Sequence, residues 1–246
     1  MKLVKPVFSG LLLLFALCGV TRPAQGYETL KLLFEIRHPL SYRDVDGQLG
    51  GILITPVAQA MAKAGIPFIW VETPFKRQIN QVEKNDEALC AVGMFKNKER
   101  QKFAKFSATV LRDISRPSVM LAHRNFKPDK SMNLLEALSI PGTRMLKKDS
   151  ASYGSVIDEV IERSHVNIVS TTAESFNMGK MIAAHRADFI FVSEEEALTM
   201  IKTIPDGDKL HIFKPQNMPQ GPERYLMCSQ SVPDELIQKF NQAITK

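Results

Sequence analysis

Apolar positions along this chain alternate between two rhythms. Leu30 to Ile36, Phe68 to Val71 and Ala88 to Met94 are short continuous runs of strand length. Between them lie segments of helical spacing. Thr55 and Pro56 read as a helix start, as N-cap and first helical residue, followed by Val57, Ala60, Met61 and Ala64, with Gly65 placed to end the helix. Phe75 to Lys84 turns Ile79 and Val82 inward, and Asp44-Val45-Asp46-Gly47 marks a turn. The second half repeats the rhythm. Ser118 to Ala122, Arg144 to Leu146, Val166 to Val169 and Phe189 to Val192 read as strands. Tyr153 to Arg163 reads as a helix with Val156, Ile157, Val160 and Ile161 on one face, and Ala173 to Ala184 as another. Pro233 opens a last helix through Leu236, Ile237, Phe240 and Ile244. Strands alternating with helices predict largely parallel sheets covered on both faces. A less regular stretch at Arg112 to Pro117 divides the pattern into two α/β lobes. The lone tryptophan, Trp70, is expected in the core.

The start of the chain stands outside this pattern. Lys2 and Lys5 precede an apolar run from Pro6 to Val20, and Ala24-Gln25-Gly26 is a small-residue cleavage pattern. Residues 1–26 read as a secretory signal peptide. The run is about 15 residues long, short of the roughly 20 that span a bilayer. Removing its three basic residues from the 32 of the whole chain leaves a net charge of +3 against 26 acids. That charge does not argue for nucleic acid, and the cluster Lys96, Lys98, Arg100, Lys102 and Lys105 reads first as a solvated basic face. Cleavage also removes Cys18. Cys90 and Cys228 remain, both in strand-like apolar flanks, and form either one disulfide or two buried thiols.

The usual catalytic patterns are missing. Gly50-Gly51 lacks the spacing of a phosphate loop. The five histidines form no close metal-binding pair. Ser152-Tyr153-Gly154-Ser155 is not a nucleophile elbow. Glu194-Glu195-Glu196 reads as a helix start favoured by the dipole. No cofactor is implied.

The segment from Phe95 to Ser107, Phe-Lys-Asn-Lys-Glu-Arg-Gln-Lys-Phe-Ala-Lys-Phe-Ser, resembles the Thr-x-x-Arg…Phe-Ser segment of bacterial extracellular solute-binding proteins of family 3, the polar-amino-acid type. Pro39-Leu40-Ser41-Tyr42 with Asp46 to Gly51, then Ala187-Asp188-Phe189-Ile190, then Pro233 to Leu236 with Phe240 to Ile244, are similar to its further motifs in the same order. The resemblance implies a two-lobed type II periplasmic-binding-protein-like α/β fold. Each lobe would hold a mixed, mostly parallel sheet, with two crossover strands between lobes. Lobe I would comprise residues 27–112 and 223–246, and lobe II residues 113–222. A small ligand would bind between lobes that close on it.

The resemblance also nominates residues. Arg100 matches an arginine that clamps a ligand carboxylate, for which a guanidinium fork is suited. Asn97, three residues earlier, would contact the same carboxylate or cap a helix. Gly93 would line the pocket, and Phe95 would either make its wall more apolar or belong to the core. Tyr42 matches an aromatic that packs on the ligand, and Arg37 ends the first strand facing the cleft. Ser150 and Ser152 fall near a hydroxyl-rich loop before a helix, where they would bind an anion or simply cap. Amino-acid binders usually place an Asp five residues after the position of Asp188 to hold the ligand ammonium. Here Ser193 stands there, with Glu194 beside it as a replacement acid; without one, the ligand need carry no ammonium.

The function this implies is a periplasmic receptor, a monomer rather than an enzyme. It would capture an amino acid or related carboxylate for an ABC importer. A stand-alone periplasmic sensor using the same cleft is the alternative. A dehydratase-like enzyme is a third, needing a cleft acid such as Glu194 with a raised pKa.

Overall fold

The structure, a computed structural model, describes residues 28–111 and 118–244. The leader and the Arg112–Pro117 stretch lie outside the described residues. The first part runs β1 (Leu30–Phe34), β2 (Tyr42–Arg43), β3 (Leu49–Gly50), α1 (Ile54–Lys63), β4 (Phe68–Glu72), α2 (Phe75–Lys84), β5 (Leu89–Met94), α3 (Lys98–Gln101) and β6 (Lys105–Leu111). It continues with β7 (Ser118–His123), α4 (Leu134–Leu138), β8 (Arg144–Lys148), α5 (Ser155–Ser164), β9 (Asn167–Thr171), α6 (Ser175–Ala183), β10 (Phe189–Ser193), α7 (Glu194–Thr203), β11 (Leu210–Phe213), β12 (Arg224–Cys228) and α8 (Asp234–Ile244).

Two five-stranded sheets result, ordered β4-β1-β5-β12-β6 and β11-β7-β10-β8-β9. In the first, β4, β1 and β5 run parallel, and β12 is antiparallel to both β5 and β6. In the second, β10, β8 and β9 run parallel, and β7 is antiparallel to β10 and β11. The chain thus leaves the first sheet after β6, builds the second, and returns as β12.

Each sheet has a core on both faces. The α1 face Ile54, Val57, Ala60 and Met61 is buried, and α1 packs with Leu236 and Phe240 of α8 against Leu32 and Val92. The opposite face holds Ile79 and Val82 of α2 against Leu33 and Ala91. In the second sheet, Met178 and Ile182 of α6 cover one side and Ile157 and Ile161 of α5 the other. A fully buried Leu, Ile or Phe contributes roughly 1.5–3 kcal/mol, and each sheet with its helices encloses its own apolar clusters. Trp70 is half-buried, edge-on to Phe34 and Phe68 at 5.8 and 5.7 Å. Cys90 and Cys228 are opposite residues of β5 and β12, 4.0 Å apart at Cα, and are joined by a disulfide. Of the two states the sequence leaves open, this is the bonded one.

Two boundaries differ from the sequence pattern. Helix α1 starts at Ile54 with Leu53 as its N-cap. Pro56 therefore sits within the first turn, where its missing N–H has no helical acceptor anyway. Helix α5 starts at Ser155, not Tyr153, because Gly154 adopts φ +93° and the Tyr153 N–H goes to the Asp158 carboxylate at 2.9 Å. That shift leaves Val156 exposed rather than inward.

At the carboxyl end of β7, buried His123 stacks on His185 at 4.2 Å, and its Nδ1 accepts the Asn125 N–H at 3.3 Å. Desolvation, reinforced by His185 and Arg124, lowers the His123 pKa. The folded protein then binds this proton less readily than the unfolded chain. Stability is full above the ordinary histidine pKa of about 6.5 and falls as pH drops below it. Melting curves from pH 7.5 to 5 should show this loss, and His123→Gln should reduce the slope.

Candidate ligand-binding site

The carboxyl ends of β1, β5, β8 and β10 point toward one another across the space between the sheets. A cavity of about 80 Å³ lies there, lined from both sides. Crevices at the carboxyl ends of parallel strands are the usual binding position in such sheets.

From the first sheet come Glu35 and Arg37, just past β1, and Gly93, Met94 and Phe95 at the end of β5. Gly93 has φ +78°, and a Cβ there would fall 2.6 Å from Leu53 Cδ1. This turn delivers the Gly93 carbonyl to Arg224 Nη1 at 3.1 Å, while the Arg224 guanidinium lies over the Phe95 ring at 4.6 Å. Arg100 follows on α3. Asn97 is the N-cap, its Oδ1 accepting the Arg100 N–H at 2.9 Å. The cap fixes where Arg100 projects.

Arg100 is buried, only 4% exposed. Its Nη1 donates to the Phe95 carbonyl at 3.0 Å and its Nη2 to the Ser150 carbonyl at 3.3 Å. Its guanidinium carbon lies 5.7 Å from the Phe75 ring centre. Among the described residues it makes no ion pair. Desolvation pulls its pKa below the ordinary value, and the field of Asp158 opposes this only in part.

From the second sheet come Lys148 at the end of β8, Ser152 and Tyr153 in the following loop, Ser175 at the start of α6, and Ile190 to Ser193 of β10. The Ser152 hydroxyl bonds the Asp158 carboxylate at 2.5 Å. Burial raises the Tyr153 pKa, so its phenol stays neutral.

Two ion pairs cross the space beside the cavity. Glu35 bonds Lys148, both buried. Arg37 grips Glu196 through two bonds of 3.0 Å, and Glu196 is fully buried. Burial pulls the Arg37 pKa down, but Glu196 and Glu35 outweigh it and hold it above its ordinary value. Glu196 also closes a capping box with Ser193, whose hydroxyl donates to it at 3.1 Å. Glu35, Phe75 and Lys148 separate the cavity from an outer groove of about 290 Å³, lined also by Lys76 and Asp149.

Six residues nominated from sequence thus meet at the cavity: Arg37, Gly93, Phe95, Arg100, Ser152 and Ser193. Four do not line it. Asn97 acts as the cap. Ser150, at φ +62°, is exposed and contributes its carbonyl rather than its hydroxyl. Tyr42 sits in the β2–β3 ribbon, its ring 4.5 Å from that of His38. Glu194, nominated as the replacement acid, instead bonds Lys214 at 2.7 Å. The reason lies in the helix start: the first residue of α7 points outward, while the third, Glu196, folds back over the cap. Glu35, Phe75, Lys148, Tyr153, Glu196 and Arg224 escaped the sequence reading. A polar residue at the carboxyl end of an apolar strand was the available signal for Glu35 and Lys148.

A two-lobed α/β molecule with its polar groups converging between mixed sheets is a binding-protein architecture. The sequence matches the bacterial extracellular solute-binding proteins, family 3, over residues 31–246, and the chain belongs to that family. No curated protein matches it. Among solved structures, it is similar to an ancestral arginine-binding protein bound to arginine, with 20% identity, a TM-score of 0.69, and 88% of this chain and 90% of that one covered. Holo ArgBP from T. maritima gives 16% identity, a TM-score of 0.67, and 88% of each chain covered. The ancestral amino acid-binding protein AncCDT-1, a precursor of cyclohexadienyl dehydratase, gives 16% identity, a TM-score of 0.65, and 88% of this chain and 87% of that one covered.

Proposed function

We propose that this protein is a periplasmic receptor, exported by cleavage of residues 1–26, that captures a small carboxylate solute of the amino-acid class or a related acid. Lobes 27–112 with 223–246, and 113–222, close on the ligand and present it to an ABC importer. The single observation behind this reading is Arg100: a buried guanidinium that faces the cavity and has no acid partner among the described residues. A buried cation without a counter-ion is costly, and a ligand carboxylate supplies one. Arg100 already bonds a carbonyl from each side of the cleft, so its position depends on closure. The similar ancestral protein was solved with arginine and with glutamine, which fits ligands of this size.

The position of Glu194 favours binding over dehydration. It lies outside the cavity, and Glu35 and Glu196 are tied to cations. The test is a thermal-shift panel of amino acids, dicarboxylates, short peptides, polyamines and sugars on the mature chain, refolded free of ligand. A ligand at about 100 times its dissociation constant adds roughly 2.7 kcal/mol, a rise of a few degrees. A carboxylate hit is expected; silence from every carboxylate sinks the reading. Uptake by cells with and without the protein then separates importer delivery from sensing.

A further inference from the structure

The charges around the cavity narrow the ligand further. Four cations line the wall, Arg37, Arg100, Lys148 and Arg224, against one acid, Glu35. That acid is taken by Lys148 and has Arg37 at 3.9 Å. The two acids behind the wall are also committed. Glu196 receives the Arg37 fork and the Ser193 hydroxyl, and Asp158 receives the Ser152 hydroxyl and the Tyr153 N–H. Among the described residues, a ligand ammonium entering this space meets no carboxylate without hydrogen-bond partners. It would bring a further positive charge to a wall that already holds four cations against one acid. A ligand carboxylate meets Arg100 with no acid to displace. The largest uncharged side chains of the wall are mostly apolar, Phe75, Phe191, Met94 and Met178 among them, with the hydroxyls of Ser118, Ser152, Tyr153, Ser175 and Ser193 set between.

We infer that the cleft selects small monocarboxylates that carry no ammonium and have an apolar or aromatic body. This rests on the reading of Arg100 as carboxylate clamp and goes beyond it by excluding the zwitterion. Ser193 fits the same logic, since its hydroxyl serves the α7 cap rather than a ligand.

Matched pairs on the ligand-free mature chain test this by calorimetry. The pairs are 3-phenylpropionate against L-phenylalanine and 4-methylpentanoate against L-leucine, with phenethylamine as the ammonium-only control. The deaminated acid should bind at least tenfold more tightly than its amino acid, and phenethylamine should not bind. Arg100→Ala should abolish the signal. Equal or tighter binding of the amino acids overturns this inference while leaving the carboxylate clamp intact. Binding by neither member of either pair, with silence from the wider carboxylate panel, brings down the clamp as well. A hit confined to other amino acids overturns the inference alone.

Discussion

Arg100→Ala is expected to weaken carboxylate binding at least 100-fold, about 3 kcal/mol, within the range for truncating one partner of a buried charge pair. The argument starts from burial. Its guanidinium is almost wholly out of water, held by two backbone carbonyls, and makes no ion pair among the described residues. A bound carboxylate receives a charge-assisted bond in a low-dielectric site, where such bonds are at their strongest. Arg100→Lys keeps the charge but loses the fork, and should recover only part of the affinity. The ligand-free variant should melt close to the parent, because the lost carbonyl bonds are offset by relief from a desolvated charge. That separates a binding defect from a folding defect. Unchanged affinity in Arg100→Ala, measured by calorimetry, would remove the clamp.

Asn97 and Arg100 show what a sequence carries and what it withholds. Their three-residue spacing was legible as a helix cap and an arginine, and it is built that way. Legible too were the strand and helix rhythm and the two-lobe division. The partners were not legible. Lys148 meets Glu35 across 113 positions of sequence, and Arg37 meets Glu196 across 159. Nothing local marks such pairs, because they form only when two separately folded sheets face each other. The acidic run at Glu194 shows a finer limit. All three residues suit the start of α7, and only helix geometry selects the third to fold back over Ser193. Tyr42 marks another: its motif is local, but its distance from the cavity is set by the β2–β3 ribbon.

Those long-range pairs carry the second large effect. Lys148→Met should shift the ligand-free protein toward an open form. In the closed arrangement, the Lys148 and Glu35 side chains are only 11% and 6% exposed. Removing the ammonium leaves Glu35 buried with Arg37 at 3.9 Å as its remaining cation. Orphaning a buried charge costs roughly 3–5 kcal/mol. Here the protein can escape that cost without unfolding, because separating the lobes hydrates Glu35. The loss therefore falls on the closed state. The cores of the two sheets are untouched, so the melting temperature should move little while the radius of gyration rises in solution scattering. Ligand affinity should fall in proportion to the depleted closed population, by about 100-fold if some 3 kcal/mol is lost. Adding Glu35→Gln should restore compactness, since an amide left without its cation costs far less to bury than a carboxylate. Scattering profiles of Lys148→Met and parent that superimpose would show that the Glu35–Lys148 bridge does not hold the cleft closed. Closure would then rest on Arg37 with Glu196, whose fork supplies two bonds to a fully buried acid.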